Sequence, residues 1–194
     1  MKKTVFALLL LLSVKAAIAQ KDSLSFDEHN KYIYYHVVEQ PGLTADTFQN
    51  RMQYLLKAVY PKNKINPGGT PGSISGTGKF LLLTGITAAK HVDGEIAYTF
   101  HIEYKDQKYR YWLTDFVFTP YKVDRYGNSV PEQGLDIPLK QAAAKLEKNQ
   151  FSTYLTKTAI YSIQFGGDVK KYMMKISATP AKDDKKKVNI TKDW

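Results

Sequence analysis

From Ile96 to Tyr104 the apolar side chains fall on every second residue: Ile96, Tyr98, Phe100, Ile102 and Tyr104. That period belongs to a strand with one buried face. Lys105-Asp106-Gln107-Lys108 interrupts the pattern briefly, and Tyr109 to Phe118 then resumes it. A tight turn centred on Asp106 and Gln107 predicts Tyr104 opposite Tyr109, Ile102 opposite Tyr111 and Phe100 opposite Leu113. A slip of one residue would put these apolar groups on opposite faces, so the pattern selects its own register. The other face then pairs Glu103 with Arg110, His101 with Trp112, and Thr99 with Thr114. Past Asp115 the alternation fails at Phe116-Val117-Phe118, which predicts either a bulge or a strand covered on both faces. Pro120, with no N–H to donate, is expected to end the ladder.

The flanking segments add one more strand, a further stretch of sheet and several helices. Tyr32 to Val38 is rich in aromatic and β-branched residues and predicts a strand, ended by Pro41-Gly42. Thr44 is a good N-cap, and Phe48, Met52, Leu55, Leu56 and Val59 form a helical stripe, predicting a helix over 44–60 before Pro61. Residues 67–72 read as a loop and 73–83 as a strand. In the C-terminal half, 125–134 reads as a loop and Pro138 fits a first helical turn, with Leu139, Ala142, Ala143 and Leu146 on one stripe. Asn149 is placed to end or interrupt that helix. Helical spacing continues from Phe151 to Phe165 and again from Val169 to Ile176. Gly166-Gly167 would cost a helix interior about 2 kcal/mol relative to alanines, so a break with Asp168 capping a last helix is as consistent as continuity. Met173-Met174 reads as core filler. The sum is one α+β domain over residues 20–179, an antiparallel sheet backed by helices on one face.

The ends of the chain bear on location. Met1-Lys2-Lys3, the apolar run Val5 to Leu12 and the small residues of Ala17-Ile18-Ala19 predict a signal peptide over 1–19, cleaved between Ala19 and Gln20. The apolar run is too short for a membrane span, and no later segment is long enough either. Without cysteine there is neither a lipidated N-terminal Cys nor a disulfide. A soluble exported protein, periplasmic or secreted, is expected. Loss of Lys2, Lys3 and Lys15 lowers the formal charge from +10 to +7. Such a surplus suits anionic glycan, lipid or nucleic acid. However, the lysines are scattered, and the densest group lies in the tail 180–194, mixed with Asp183, Asp184 and Asp193. Solubility and a solvated tail account for that distribution.

Little in the chain announces chemistry. Gly72 to Lys79 imitates a phosphate-binding loop, but the glycine spacing is one residue too long, Phe80 replaces the magnesium-binding hydroxyl, and a strand follows where a helix is needed. His91, Asp93 and Glu95 alternate as metal ligands on a strand would, although Asp93-Gly94 is also a turn signal that would scatter them. His101, Glu103, Arg110 and Trp112 are gathered by the predicted hairpin register. A His beside a carboxylate suits acid–base work, and an Arg beside an aromatic ring suits anion binding. The same residues equally decorate an ordinary solvated sheet with a cross-strand ion pair. No nucleophile elbow, zinc-protease motif or cysteine nucleophile is present, and no cofactor is indicated.

The order strand, helix, strands 73–83, 95–104 and 108–119, then C-terminal helix carries a resemblance. So do Ala17-Ile18-Ala19-Gln20, the Gly76-Thr77-Gly78 entry to a strand and the run Tyr98 to Arg110. Over about residues 31–120 the chain resembles a family of exported Bacteroidetes proteins whose domain, of unknown function, is similar to the TATA-box-binding-protein fold. The resemblance implies a curved antiparallel sheet with helices on one side and brings no catalytic residues. Nor does it imply nucleic-acid binding, because function lives in sites rather than folds, and export removes the chain from the chromosome. The expectation is a non-enzymatic binding module. Its open sheet face (His101, Glu103, Arg110, Trp112) would meet an envelope protein or small ligand. The alternatives are an envelope enzyme or metal protein using His91, Asp93 and Glu95, and a basic module on anionic glycan or lipid.

Overall fold

A computed structural model describes residues 24–66, 70–85 and 91–174. The expected signal peptide, the tail from 180 and the last helical position, Ile176, lie outside them. In chain order the elements are β1 (Ser25–Phe26), β2 (Tyr32–Glu39), α1 (Ala45–Ala58), β3 (Lys64–Ile65), β4 (Ser73–Thr84), β5 (His91–Lys105), β6 (Lys108–Val123), β7 (Ser129–Pro131), β8 (Ile137–Pro138), α2 (Leu139–Lys145) and α3 (Lys148–Met174). The sheet runs β1-β2-β6-β5-β4-β3, and β7 and β8 pair with β6. Every pairing is antiparallel.

The β5–β6 hairpin has the register its alternation predicts: Tyr104 opposite Tyr109, Ile102 opposite Tyr111, Phe100 opposite Leu113. Gln107 takes the turn at φ 60°. The turn also seats α1, since Asp106 Oδ1 accepts from the Ala45 N–H at 2.8 Å. Thr44 caps the same helix end by accepting from Thr47 N–H, as expected. Past Thr114 one extra residue enters β6, with Asp115 at φ 51°, and the register against β5 shifts between Ala97 and Thr99. This bulge returns Phe116 and Phe118 to the buried face on which Tyr109, Tyr111 and Leu113 already lie.

The three helices cover that face. Phe48, Met52, Leu55 and Leu56 of α1 join Ile96, Tyr98, Phe100 and Ile102 in one core, while Val59, expected on the same stripe, is exposed as the C-cap. Helix α3 brings Tyr154 against Phe118, and Phe165 against Tyr60, Tyr98 and Phe100. Between these rings it presents Thr158 and Ser162, buried but small. Their hydroxyls donate to the carbonyls four residues back, both at 2.8 Å, so neither is left unsatisfied.

Several expectations need correction. Helix α3 runs unbroken through Gly166-Gly167, and Asp168 caps nothing; its carboxylate accepts from the Tyr60 hydroxyl at 2.8 Å. Pro120 ends the ladder with β5, opposite Gly94, but β6 continues, because β7 takes over pairing at Tyr121 to Val123. Residues 129–131, expected as loop, form that β7. Pro138 lies just before α2 and pairs with Val117 rather than opening the first turn. Asp93-Gly94 is not a turn but mid-strand.

Among the described residues, the Tyr109 hydroxyl is buried in the core without a partner. Tyr109 is 2 % exposed and its hydroxyl makes no hydrogen bond, so burial alone pushes its pKa up to about 12. Tyr109→Phe is therefore expected to be neutral or to stabilise by up to about 1 kcal/mol, read from the urea midpoint. A loss of comparable size would mean that the hydroxyl has a partner in solution.

Candidate functional site on the open sheet face

With all three helices on one side, alternation places the other side chains of β2, β4, β5 and β6 on an uncovered face. Three adjacent strands, β2, β6 and β5, build a row there. Tyr35 lies opposite Trp112, and Trp112 opposite His101. The His101 and Trp112 rings stack at 4.8 Å and 10°, and Tyr35 stands 6.1 Å from Trp112. Arg110 lies over the Trp112 ring, its guanidinium carbon 5.6 Å from the centroid. Its Nε and Nη2 reach Glu103 Oε2 at 2.6 and 2.5 Å. The Glu103 carboxylate, and then the Tyr35 hydroxyl, raise the Arg110 pKa and hold the guanidinium charged. His101, Glu103, Arg110 and Trp112 are thus brought together on one surface.

A groove of about 700 Å³ opens beside this row at the hairpin end of the sheet. Its walls include Tyr35 and Val37 of β2, Glu103 and Lys105 of β5, and Lys108 and Arg110 of β6. Residues 70–73, leading into β4, close one side. Tyr35 and Val37 are 45 % and 44 % exposed. Sequence reasoning missed Tyr35, Val37, Lys105 and Lys108 as site residues. The two lysines were legible only as ends of a turn. The β2 residues carried the alternation of a strand, but nothing local told which strand β2 would join.

His91, Asp93 and Glu95 do not converge. A bulge in the β4–β5 register falls among them, between the pairs Leu82–Gly94 and Leu83–Val92. Asp93 accepts from Tyr154 of α3 at 3.0 Å and from Thr84, and lies 2.9 Å from His91 Nε2. Glu95 instead meets Lys79 at 3.0 Å and the Tyr121 hydroxyl at 2.8 Å. Burial, then the Glu95 bond and charge, push the Tyr121 pKa up to about 12. Gly94 permits this course: a Cβ there would run into the Thr119 carbonyl and the Phe118 ring. Among the described residues no three His, Cys, Asp or Glu side chains are grouped to hold a metal ion. Nor is any described helix long and apolar enough to cross a membrane.

Comparison with known proteins bears on the scaffold. Residues 34–119 match the family described as a domain of unknown function (DUF4468) with TBP-like fold. A TBP-like protein from Parabacteroides distasonis ATCC 8503 superposes with a TM-score of 0.60 at 16 % identity, covering 78 % of this chain and 97 % of its own. A DUF4468 family protein from Bacteroides ovatus ATCC 8483 gives 0.57 at 12 % identity, covering 78 % and 90 %. No curated protein matches the chain. At such identities the two structures speak for the fold alone, and the fold carries no activity with it. Residues 34–119 of this chain thus match the model of the DUF4468 family, and the chain's antiparallel sheet with helices on one face has the TBP-like arrangement.

Proposed function

We propose that the protein is a non-enzymatic periplasmic or secreted binding module, exported after cleavage between Ala19 and Gln20, which offers its open sheet face to an envelope partner or ligand. The observation that supports this best is the uncovered row Tyr35–Trp112–His101 with Arg110 and Glu103 beside it. Aromatic rings and arginine, half-exposed and clustered next to a groove, are the composition from which binding hot spots are made. The helices pack against the opposite face of the sheet that carries this row.

Immobilised chain 20–194, exposed to solubilised envelope and analysed for retained protein and polysaccharide, tests the reading. Arg110→Ala with Trp112→Ala should lose a specifically retained component by about tenfold or more. Both side chains stand on the open face, so the fold should survive, with circular dichroism as the check. Unchanged retention by the double variant would place binding elsewhere. N-terminal sequencing of the mature protein should begin at Gln20; an intact Met1 would refute export by this signal.

A further inference from the structure

Resting on that reading of the open face, we propose that the groove at its hairpin end binds an acidic saccharide. One carboxylate-bearing sugar ring would sit among Lys105, Lys108 and Arg110, and its neighbours along the row Tyr35, Trp112 and His101. Lys105 and Lys108 lie directly opposite each other in the β5–β6 ladder, and both line the groove. Like charges so placed repel one another. Arg110 is the next open-face residue along β6 and lines the same groove. Against these three cations the groove wall holds one carboxylate, Glu103, which Arg110 already occupies. Glu39 reaches Lys108 from outside the wall, at 3.4 Å and 76 % exposed, a weak and screened pair. Lys105 has no acidic partner among the described residues. An anion in the groove would relieve this surplus with charge-assisted hydrogen bonds.

The remainder of the surface selects the kind of anion. A groove of about 700 Å³ is far larger than a bare phosphate and falls in the range that holds ring-sized ligands. Its other contributors include the Tyr35 ring, Val37, and the hydroxyl-bearing Thr70 and Ser73. Rings that meet the C–H face of a sugar, with hydroxyl and carboxylate groups around them for its O–H groups, suit a saccharide. Continuity suits an oligomer: Tyr35 belongs both to the groove wall and to the row, 6.1 Å from Trp112, and His101 extends the row one strand further.

Isothermal titration of chain 20–194 with tetragalacturonate and with its methyl ester reads the proposal directly. A hyaluronan tetrasaccharide and sialyllactose run in parallel, so that the choice of one sugar does not decide the result. At least one acid should bind at low salt, and raising salt should weaken it. Removing its charge as the ester should cost about tenfold in affinity, as should Lys105→Gln with Lys108→Gln against the acid. The same lysine pair should cost the ester less affinity than it costs the acid. Lys105 is exposed and Lys108 half-exposed, so the lysine variant tests charge rather than folding. Equal affinity for acid and ester overturns the proposal, and so does binding of none of the three acids. Tighter binding of inorganic phosphate or phosphatidylglycerol vesicles than of any acidic sugar also overturns it. If every acidic sugar fails while Arg110→Ala with Trp112→Ala still abolishes retention of an envelope component, the ligand is wrong and the binding face stands. If that retention survives as well, the face itself is wrong.

Discussion

Phe165→Ala should destabilise the protein by about 3–5 kcal/mol, the usual cost of deleting a buried aromatic ring. The ring is fully buried and sits where α3 meets both the sheet and the end of α1. Its centroid is 5.0 Å from Tyr60, 6.4 Å from Tyr98 and 6.3 Å from Phe100. Close by, two hydrogen bonds depend on the same geometry: Tyr60 to Asp168 at 2.8 Å and Tyr98 with Tyr161 at 2.7 Å. Burial is the first cause raising the pKa of Tyr60, Tyr98 and Tyr161, so hydroxyls deprived of partners there would carry a desolvation penalty. A cavity at 165 would let those partners drift, and the loss is expected toward the upper end of the range. Against a typical total of about 5–15 kcal/mol, urea unfolding should show a large fall in midpoint. A loss under about 1 kcal/mol would mean that α3 does not pack on the sheet as described.

Gly166→Val should cost about 3 kcal/mol, whereas Gly167→Ala should stabilise by about 1 kcal/mol, although the two glycines are neighbours in one helix. A Cβ at 166 would stand 2.7 Å from the Tyr34 hydroxyl, 2.8 Å from that of Tyr111 and 2.9 Å from Tyr34 Cε1. Both tyrosines are buried, so neither ring has room to retreat. A Cβ at 167 would meet nothing within 4 Å, leaving only the gain in helix propensity. Thermal unfolding of both variants would check the signs. Equal effects would argue that α3 does not approach Tyr34 and Tyr111 at Gly166.

That pair of glycines also marks what the sequence could and could not disclose. The hairpin was legible to the residue because strict alternation, one short polar turn and a cross-strand partner lay within one local stretch. The continuity of α3 was not. Its local propensity cost at Gly166-Gly167 is real, but at Gly166 the glycine is required by a close approach to Tyr34 of β2 and Tyr111 of β6, far away in sequence. Asp93-Gly94 misled similarly: a turn dipeptide locally, it is held in a strand because Gly94 lets Phe118 and the Thr119 carbonyl come close. The candidate site divides along the same line. His101, Glu103, Arg110 and Trp112 belong to one hairpin and could be grouped from register alone. Tyr35 and Val37 reach the groove only through the pairing of β2 with β6, which alternation within β2 cannot specify.

The account turns on whether the open face is a binding surface. Retention of envelope material by immobilised chain 20–194 therefore decides most, run beside Arg110→Ala with Trp112→Ala and beside Lys170→Ala as a charge control on α3. The account predicts at least one specific component retained by the unmodified chain and by the Lys170 variant, and lost from the double variant. Equal retention by all three, with all three folded, would contradict it.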